Sequence, residues 1–453
     1  MSDPVLHRIV GSTPPRAAAA SGCWIVDEAG NRYLDASSGA AVSALGHAHP
    51  ALIEAVTSQL MTLDYAHTGF FTSAPAQDLA ARLVELSDGA FASVYFVNDG
   101  SEAVEAALKL ARQAALQRGE ESRRRIIARR QSYHGNTLGA LGVSGHLARR
   151  QGFAPLLTEA HFTAPCYEYR HRRPDETAED YGARLISELA AEIAEMGGDT
   201  VLAVIAETVS GATIGAATPV PGYLRGLRTL CDQHGITLIL DEVMCGAGRT
   251  GHFFAFEAEG VTPDLCTMAK GLAAGVQPIG AVLVSGQMRD ALARDGGAIR
   301  NGHTYSAHPV ACAAALAATA EISNEDMLAR VRELGDELAE ALAARLGAHP
   351  HVGDLRGRGL LRGIELVADR DSKTPFSPDL RLASRIKSAA MQTGLCVYPG
   401  SGTADGVAGD HILLAPPFIC TSADIAEIVD RFARALDAAL KPVLHETKFE
   451  VSS

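Results

Sequence analysis

The chain has 453 residues, 47% of them hydrophobic and 21% charged, an ordinary globular composition with ample apolar material for a large core. Its formal charge of -13 excludes the basic surface that nucleic acids and anionic membranes attract, so neither is expected as a partner and a small-molecule substrate is. Eight cysteines are scattered through apolar segments without a C-x-x-C pair, which argues against a disulfide framework and a zinc site, and no metal is expected.

In chain order, MSDPVLHRIVGSTPPRA lacks a charged start followed by an apolar core, and no run of about 18 apolar residues occurs anywhere. A soluble, cytoplasmic protein is predicted. The stretch CWIVDEAGNRYLDASSG reads as strand, turn and strand, with Ala29-Gly30-Asn31 as the turn. From about Leu60 to Thr319, the strand-like runs VYFV (94–97), RIIA (125–128), VLAVIA (201–206), ITLIL (236–240) and IGAVLVS (279–285) alternate with helical patterns over 102–117, 178–196 and 221–234. That alternation predicts an α/β fold with a mostly parallel sheet between helices. After a further helical pattern at 327–346, the shorter segments GDLRGRGLLRGIEL, GLCVYPG and HILLAPPFI suggest a second, smaller α/β unit, which the N-terminal hairpin could join. The expected division is 60–319 for the large domain, with 1–59 and 320–453 forming the small one.

Gly246 to Gly251, GAGRTG, satisfies the dinucleotide fingerprint G-x-G-x-x-G. A pyrophosphate loop needs its first glycine directly after a strand and its last glycine opening a helix. Here five residues, 241–245, intervene after ITLIL, and HFFAFEAEGVTPDLC has no helical period, so the fingerprint is out of context. Asp241 is more informative, because it stands at the carboxyl end of a strand, where open α/β sheets bind ligands; a turn cap is the plainer alternative.

Four other segments join it. Lys270 follows the apolar run in PDLCTMAKG, and a lysine there either lies exposed in a turn or has a covalent task such as a Schiff base with pyridoxal phosphate. FVNDGSEAVEAALKLAR runs strand, turn, helix and offers Gly100 and Ser101 as a phosphate cup, although Ser101 also suits an ordinary N-cap. RRQSYHGNTLGAL presents Tyr133 beside His134, a ring that could lie on a planar cofactor or simply fill core. Glu207 ends the VLAVIA strand, at a ligand position or in a solvated loop.

Together these residues, from DEAGNRYLDASSGAAVSALGHAHP through DEV, GRTG and PDLCTMAKG to LLAPPFICTSADI, closely resemble the class III (omega) aminotransferases, pyridoxal phosphate enzymes of fold type I. The resemblance implies a seven-stranded central sheet and pyridoxal 5'-phosphate as cofactor. It implies that Lys270 bonds the cofactor and shuttles a proton, that Asp241 holds the pyridine nitrogen protonated, and that Val243 packs on the ring face opposite Tyr133. Gly100, Ser101 and His134 would contribute to the cofactor site, with Glu207 helping to position the ring or pairing with an arginine. In NGHTYSAHP, Thr304 would reach the neighbouring subunit's phosphate, which implies a homodimer, possibly a tetramer. Trp24 and the YAHTGFF stretch with Tyr65, Phe70 and Phe71 would line the entrance, core packing being the competing reading. The implied reaction is ping-pong transfer of an amino group from an amine or omega-amino acid donor to an oxo acid such as pyruvate.

Three departures stand out. Thr208 replaces the family's usual proline after Glu207, and Ala247 stands where phenylalanine is frequent. No arginine lies between Arg385 and Arg431, where relatives acting on pyruvate carry a mobile one; Ala408 and His411 occupy that stretch, leaving Arg170 and the segment around Arg358 as candidates for carboxylate recognition. The same fold and cofactor also support racemases or epimerases, aminomutases and decarboxylases. A nicotinamide dehydrogenase, suggested by the glycine fingerprint, and a non-catalytic regulatory protein are the readings from other classes.

Overall fold

The computed structural model describes residues 4–450; residues 1–3 and 451–453, the outermost ends of the expected small unit, lie outside the described residues. The chain opens with strands β1 (Ala17–Ser21), β2 (Trp24–Asp27) and β3 (Arg32–Asp35), joined as antiparallel hairpins. Asp27 accepts the backbone N–H groups of Ala29 and Asn31 at 3.0 and 2.8 Å, and Gly30 takes φ 82°, so the turn forms where the sequence places it.

Seven strands make the central sheet: β4 (Ser93–Val97), β5 (Arg125–Arg129), β6 (His161–Thr163), β7 (Val201–Glu207), β8 (Thr237–Asp241), β9 (Leu265–Met268) and β10 (Gly280–Val284). Their order is β4-β10-β9-β8-β7-β5-β6. Strands β7 and β8 are buried throughout, which is why they read as continuous apolar runs rather than alternating ones. Strand β10 is antiparallel to both β4 and β9, and the remaining strands run parallel to one another, so the sheet is mostly parallel, as the sequence predicts. Two short strands, β6 and β9, escaped the sequence reading altogether. The helix Gly100–Gln117 turns a face of alanines with Val104 and Leu110 to the core, and such small side chains let it lie close on the sheet. The helices Ala178–Met196 and Tyr223–His234 match the sequence periodicity, the latter starting two residues later than read.

The C-terminal part adds β11 (Val352–Arg358), β12 (Leu361–Leu366), β13 (Leu395–Cys396), β14 (Tyr398–Ser401) and β15 (Asp410–Leu414). Four of these form the sheet β11-β12-β15-β14, while β13 pairs parallel to β3 and so joins the two ends of the chain. Among the described residues, no helix is long and apolar enough to cross a membrane.

Candidate active site

The carboxyl ends of β7, β8 and β9 lie in register: Glu207 pairs with Asp241, and Asp241 with Thr267. Two acids read separately in the sequence therefore stand side by side. They open onto a cavity of about 540 Å³, a size suited to a small organic ligand. Asp241 is only 5% exposed; its Oδ2 lies 2.7 Å from His134 Nδ1, and its Oδ1 accepts the Val243 N–H at 3.0 Å. His134 is buried, and its Nε2 has no hydrogen-bond partner. Glu207 is held by Arg129 of the adjacent strand β5, whose Nη2 donates to the Glu207 carbonyl at 2.6 Å and approaches Oε2 at 3.6 Å. Burial pushes the Glu207 carboxyl up, with His134 and Arg129 pulling it back.

The amino end of Gly100–Gln117 borders the same cavity. Asp99, and not Ser101, is its N-cap: the Asp99 carboxylate accepts the Glu102 N–H at 2.8 Å, while Glu102 accepts the Asn98 N–H at 2.8 Å. Ser101 Oγ instead accepts the Asn136 N–H at 3.0 Å and ties the helix to the loop after Tyr133. A Cβ at Gly100 would lie 2.6 Å from Val243 Cγ1, and one at Gly135 would lie 2.8 Å from Ser101 Cα. Both positions need glycine for the two loops to meet. The result is an 18-residue helix whose first N–H groups face a cavity, an arrangement that favours an anion such as phosphate.

Lys270 sits just past β9 and lines the same cavity. Its φ is 46°, a left-handed conformation that costs a residue with a Cβ about 1 kcal/mol or more, so the surrounding fold imposes it. Burial depresses its amine below the ordinary lysine value, opposed chiefly by Asp241. The neutral, nucleophilic form is thereby favoured.

These residues fit pyridoxal phosphate. An acid at one end could hold a pyridine nitrogen, a helix amino terminus a phosphate, and a depressed lysine an aldehyde carbon. Val243 and Tyr133 both line the space where a planar ring would lie. The unpartnered His134 Nε2 marks a polar atom built for something other than internal packing.

Other sequence-selected residues lie elsewhere. Thr304 does not line this chain's cavity, and its carbonyl accepts the Tyr65 hydroxyl at 2.9 Å. Tyr65, Phe70 and Phe71 are exposed on the surface. The Trp24 ring is contacted by the guanidinium groups of Arg32 (4.7 Å) and Arg431 (5.3 Å) and does not line the cavity. In place of carboxylate recognition, Arg170 is bound by Glu365 at 2.6 Å and Arg358 by Glu259 at 2.7 Å. His411 is fully buried and does not line the cavity, and burial pushes it down to about 3; Ala408 lies in the preceding loop. Cys23 and Cys420, with sulfurs 3.2 Å apart, converge with Asp424, a grouping their sequence spacing did not suggest; Asp424 already accepts the Thr421 N–H and hydroxyl at 2.9 and 2.7 Å.

The structure also explains residues the sequence reading left without a task. The Thr208 hydroxyl donates to Glu242 at 2.8 Å, and Glu242 further accepts the N–H groups of Ala255 and Phe256 at 2.7 and 2.8 Å. A proline at 208 could not make that bond. Within GAGRTG, Arg249 is buried, stacks on Phe418 and donates to the carbonyls of Leu360 and Pro416 at 3.2 and 2.6 Å. The fingerprint is thus a staple onto the C-terminal segment. Two cavity-lining cations, Arg8 and Arg149, were missed; the Arg149-Arg150 doublet looks like solvated charge when read alone.

Sequence and structure comparisons bear on this site. The class III aminotransferase family model matches residues 10–436. An uncharacterized aminotransferase of Schizosaccharomyces pombe is 44% identical over 94% of this chain and 93% of its own length. A solved amine transaminase from an uncultivated Pseudomonas species, in its pyridoxal phosphate-bound form, superposes with a TM-score of 0.91 at 33% identity, covering 97% of this chain and 99% of that one. An (S)-enantioselective omega-transaminase from Thermomicrobium roseum gives 0.88 at 35% identity, covering 94% and 93%.

Proposed function

Because the chain belongs to the class III aminotransferases, we propose that it uses pyridoxal phosphate to move an amino group from an amine or omega-amino acid donor to an oxo acid such as pyruvate, in two half-reactions at one site. The observation that carries this reading is the shared cavity of Lys270, the Asp241–His134 pair and the helix amino terminus at Gly100. When bound, the cofactor supplies an electron sink for the charge left on the donor carbon after its proton is removed. Lys270 provides the amine that holds the cofactor and, once displaced by donor, takes and returns that proton. Burial lowers its basicity, which favours the nucleophilic amine relative to a solvated lysine. Asp241 keeps a proton on the ring nitrogen, and His134 and the Val243 N–H fix the carboxylate's orientation. Of the residues lining the cavity, Val243 and Tyr133 would contact the ring, Gly100 and Ser101 would hold the phosphate, and Glu207, beside Asp241, would help to position the ring.

The unit 60–319 supplies most of this cavity, and 1–59 with 320–453 forms the second unit, which adds Arg8, Ala40, Val42 and Tyr398 to the lining, a division supported by the β3–β13 pairing. Exposed Phe70, Phe71 and Tyr305 make an apolar surface near Thr304 suited to a second copy, in keeping with a homodimer in the cytoplasm. The test is stoichiometry. Purified protein loaded with pyridoxal phosphate is incubated with a panel of amines and pyruvate, and alanine formed is compared with donor consumed. One alanine per donor supports transamination; donor conversion without oxo-acid consumption, or with carbon dioxide release, overturns it.

A further inference from the structure

An oxo acid brings a carboxylate into the cavity, and each cation singled out in the sequence for binding it is engaged elsewhere or absent. The cavity nevertheless carries two arginines. Arg149 and Arg150 are consecutive, and their surroundings differ. Arg150 donates to three carbonyls, those of Leu141, Gly142 and Ser144, at 2.6 to 2.9 Å, and stacks on Phe162. It is saturated. Arg149 lies over the Tyr133 ring, 4.3 Å from its centroid, and lines the cavity with Lys270 and Tyr398. Among the described residues, no carboxylate forms an ion pair with it, whereas the cavity acids Asp241 and Glu207 are matched to His134 and Arg129.

We infer that Arg149 is the anchor for the substrate carboxylate, receiving it on a guanidinium held flat by Tyr133; this rests on the transamination proposed above. A half-buried, unpaired guanidinium beside a reactive lysine is a poor structural element and a good receptor, because its planar fork matches a carboxylate in bidentate geometry. Stacking on Tyr133 orients the fork at the cavity wall. The charge of Arg149 also reaches Lys270, whose amine it helps to depress. Arg8, from the N-terminal segment, is exposed at the same cavity and supplies a weaker second charge. The specificity that follows is for short oxo acids over uncharged carbonyl compounds of similar size.

The test compares pyruvate with propanal as acceptors, using the holoenzyme and one amine donor. In Arg149→Gln the ratio of kcat/KM for pyruvate to that for propanal should fall on the order of 10–100-fold, mainly through KM for pyruvate. Arg149→Lys should recover part of that ratio, and Arg8→Gln should lower it only a few-fold. Propionate, an unreactive probe, should bind the wild type more tightly than Arg149→Gln in calorimetry. An unchanged ratio, or equal loss of both acceptors, overturns the assignment. So does weakened retention of pyridoxal phosphate with the ratio intact, which would give Arg149 to the cofactor phosphate. If the wild type used neither acceptor yet bound propionate through Arg149, the anchor would stand and the transamination reading would fall.

Discussion

Asp241 and Glu242 are neighbours, both carboxylates and both buried, at 5% and 1% exposure, yet they belong to different parts of the molecule. At the carboxyl end of β8 the extended backbone sends successive side chains to opposite sides. Asp241 turns to the cavity, where its partners are one imidazole and one N–H. Glu242 turns into the core, where two N–H groups and the Thr208 hydroxyl surround it and secure the segment leading to the Ala255–Glu259 turn. One carboxylate is left available to a ligand; the other is consumed by the fold. Burial alone therefore does not separate a cavity-facing acid from a structural one; the number of internal donors already spent on it does.

Neutralising each acid in turn should separate these roles. Asp241→Asn should lower kcat for transamination by about 10²–10³-fold, while the unfolding free energy stays within about 1 kcal/mol. An asparagine oxygen can still accept from Val243, and its amide can donate to His134 in the other tautomer. Steady-state kinetics and urea unfolding on one preparation check both halves, and an unstable, fully active protein would reverse the comparison. Glu242→Gln should do the opposite. At about pH 8 its amide group would face an N–H donor, costing about 2 kcal/mol of stability, with kcat of the folded protein little changed.

The pH dependence sharpens the same contrast. Burial pushes the Glu242 carboxyl up to about 7, from 4.5 in the unfolded chain. Between those values the folded protein keeps a proton that the unfolded chain gives up. This group's contribution is therefore largest below about pH 4.5, declines as pH rises, and levels off above about pH 7, changing by at most about 3 kcal/mol. Glu257 and Asp410, raised to about 7 and about 6, titrate in the same window in both proteins, so the difference in stability between wild type and Glu242→Gln should carry this group's slope. The smallest effect is expected from Thr208→Val, which removes one donor to Glu242 and should cost about 1 kcal/mol in urea unfolding, with the acceptor preference unchanged.

Residues at strand ends were legible because β7 and β8 are uninterrupted apolar runs, and the first polar residue after each marks the sheet's edge. Lys270 was legible for a similar reason, as a cation directly behind an apolar run. The direction of β10 was not: it has the composition of the sheet's parallel strands, and only its pairing shows it to be antiparallel. Partners distant in sequence were equally hidden. Arg249 binds carbonyls 111 and 167 residues away, so its local setting suggested a glycine loop and nothing more. Arg149 and Arg150 are identical in type and adjacent, and only the fold assigns one to carbonyls and the other to the cavity.

The account depends most on Lys270 as the residue that bonds the cofactor. Borohydride reduction of the pyridoxal phosphate-loaded protein, followed by proteolysis and mass spectrometry, tests it directly. The account predicts the reduced cofactor's mass on the peptide containing Lys270, and none on the Lys270→Ala protein treated identically. Label on a different lysine, or equal labelling of the alanine variant, would contradict it.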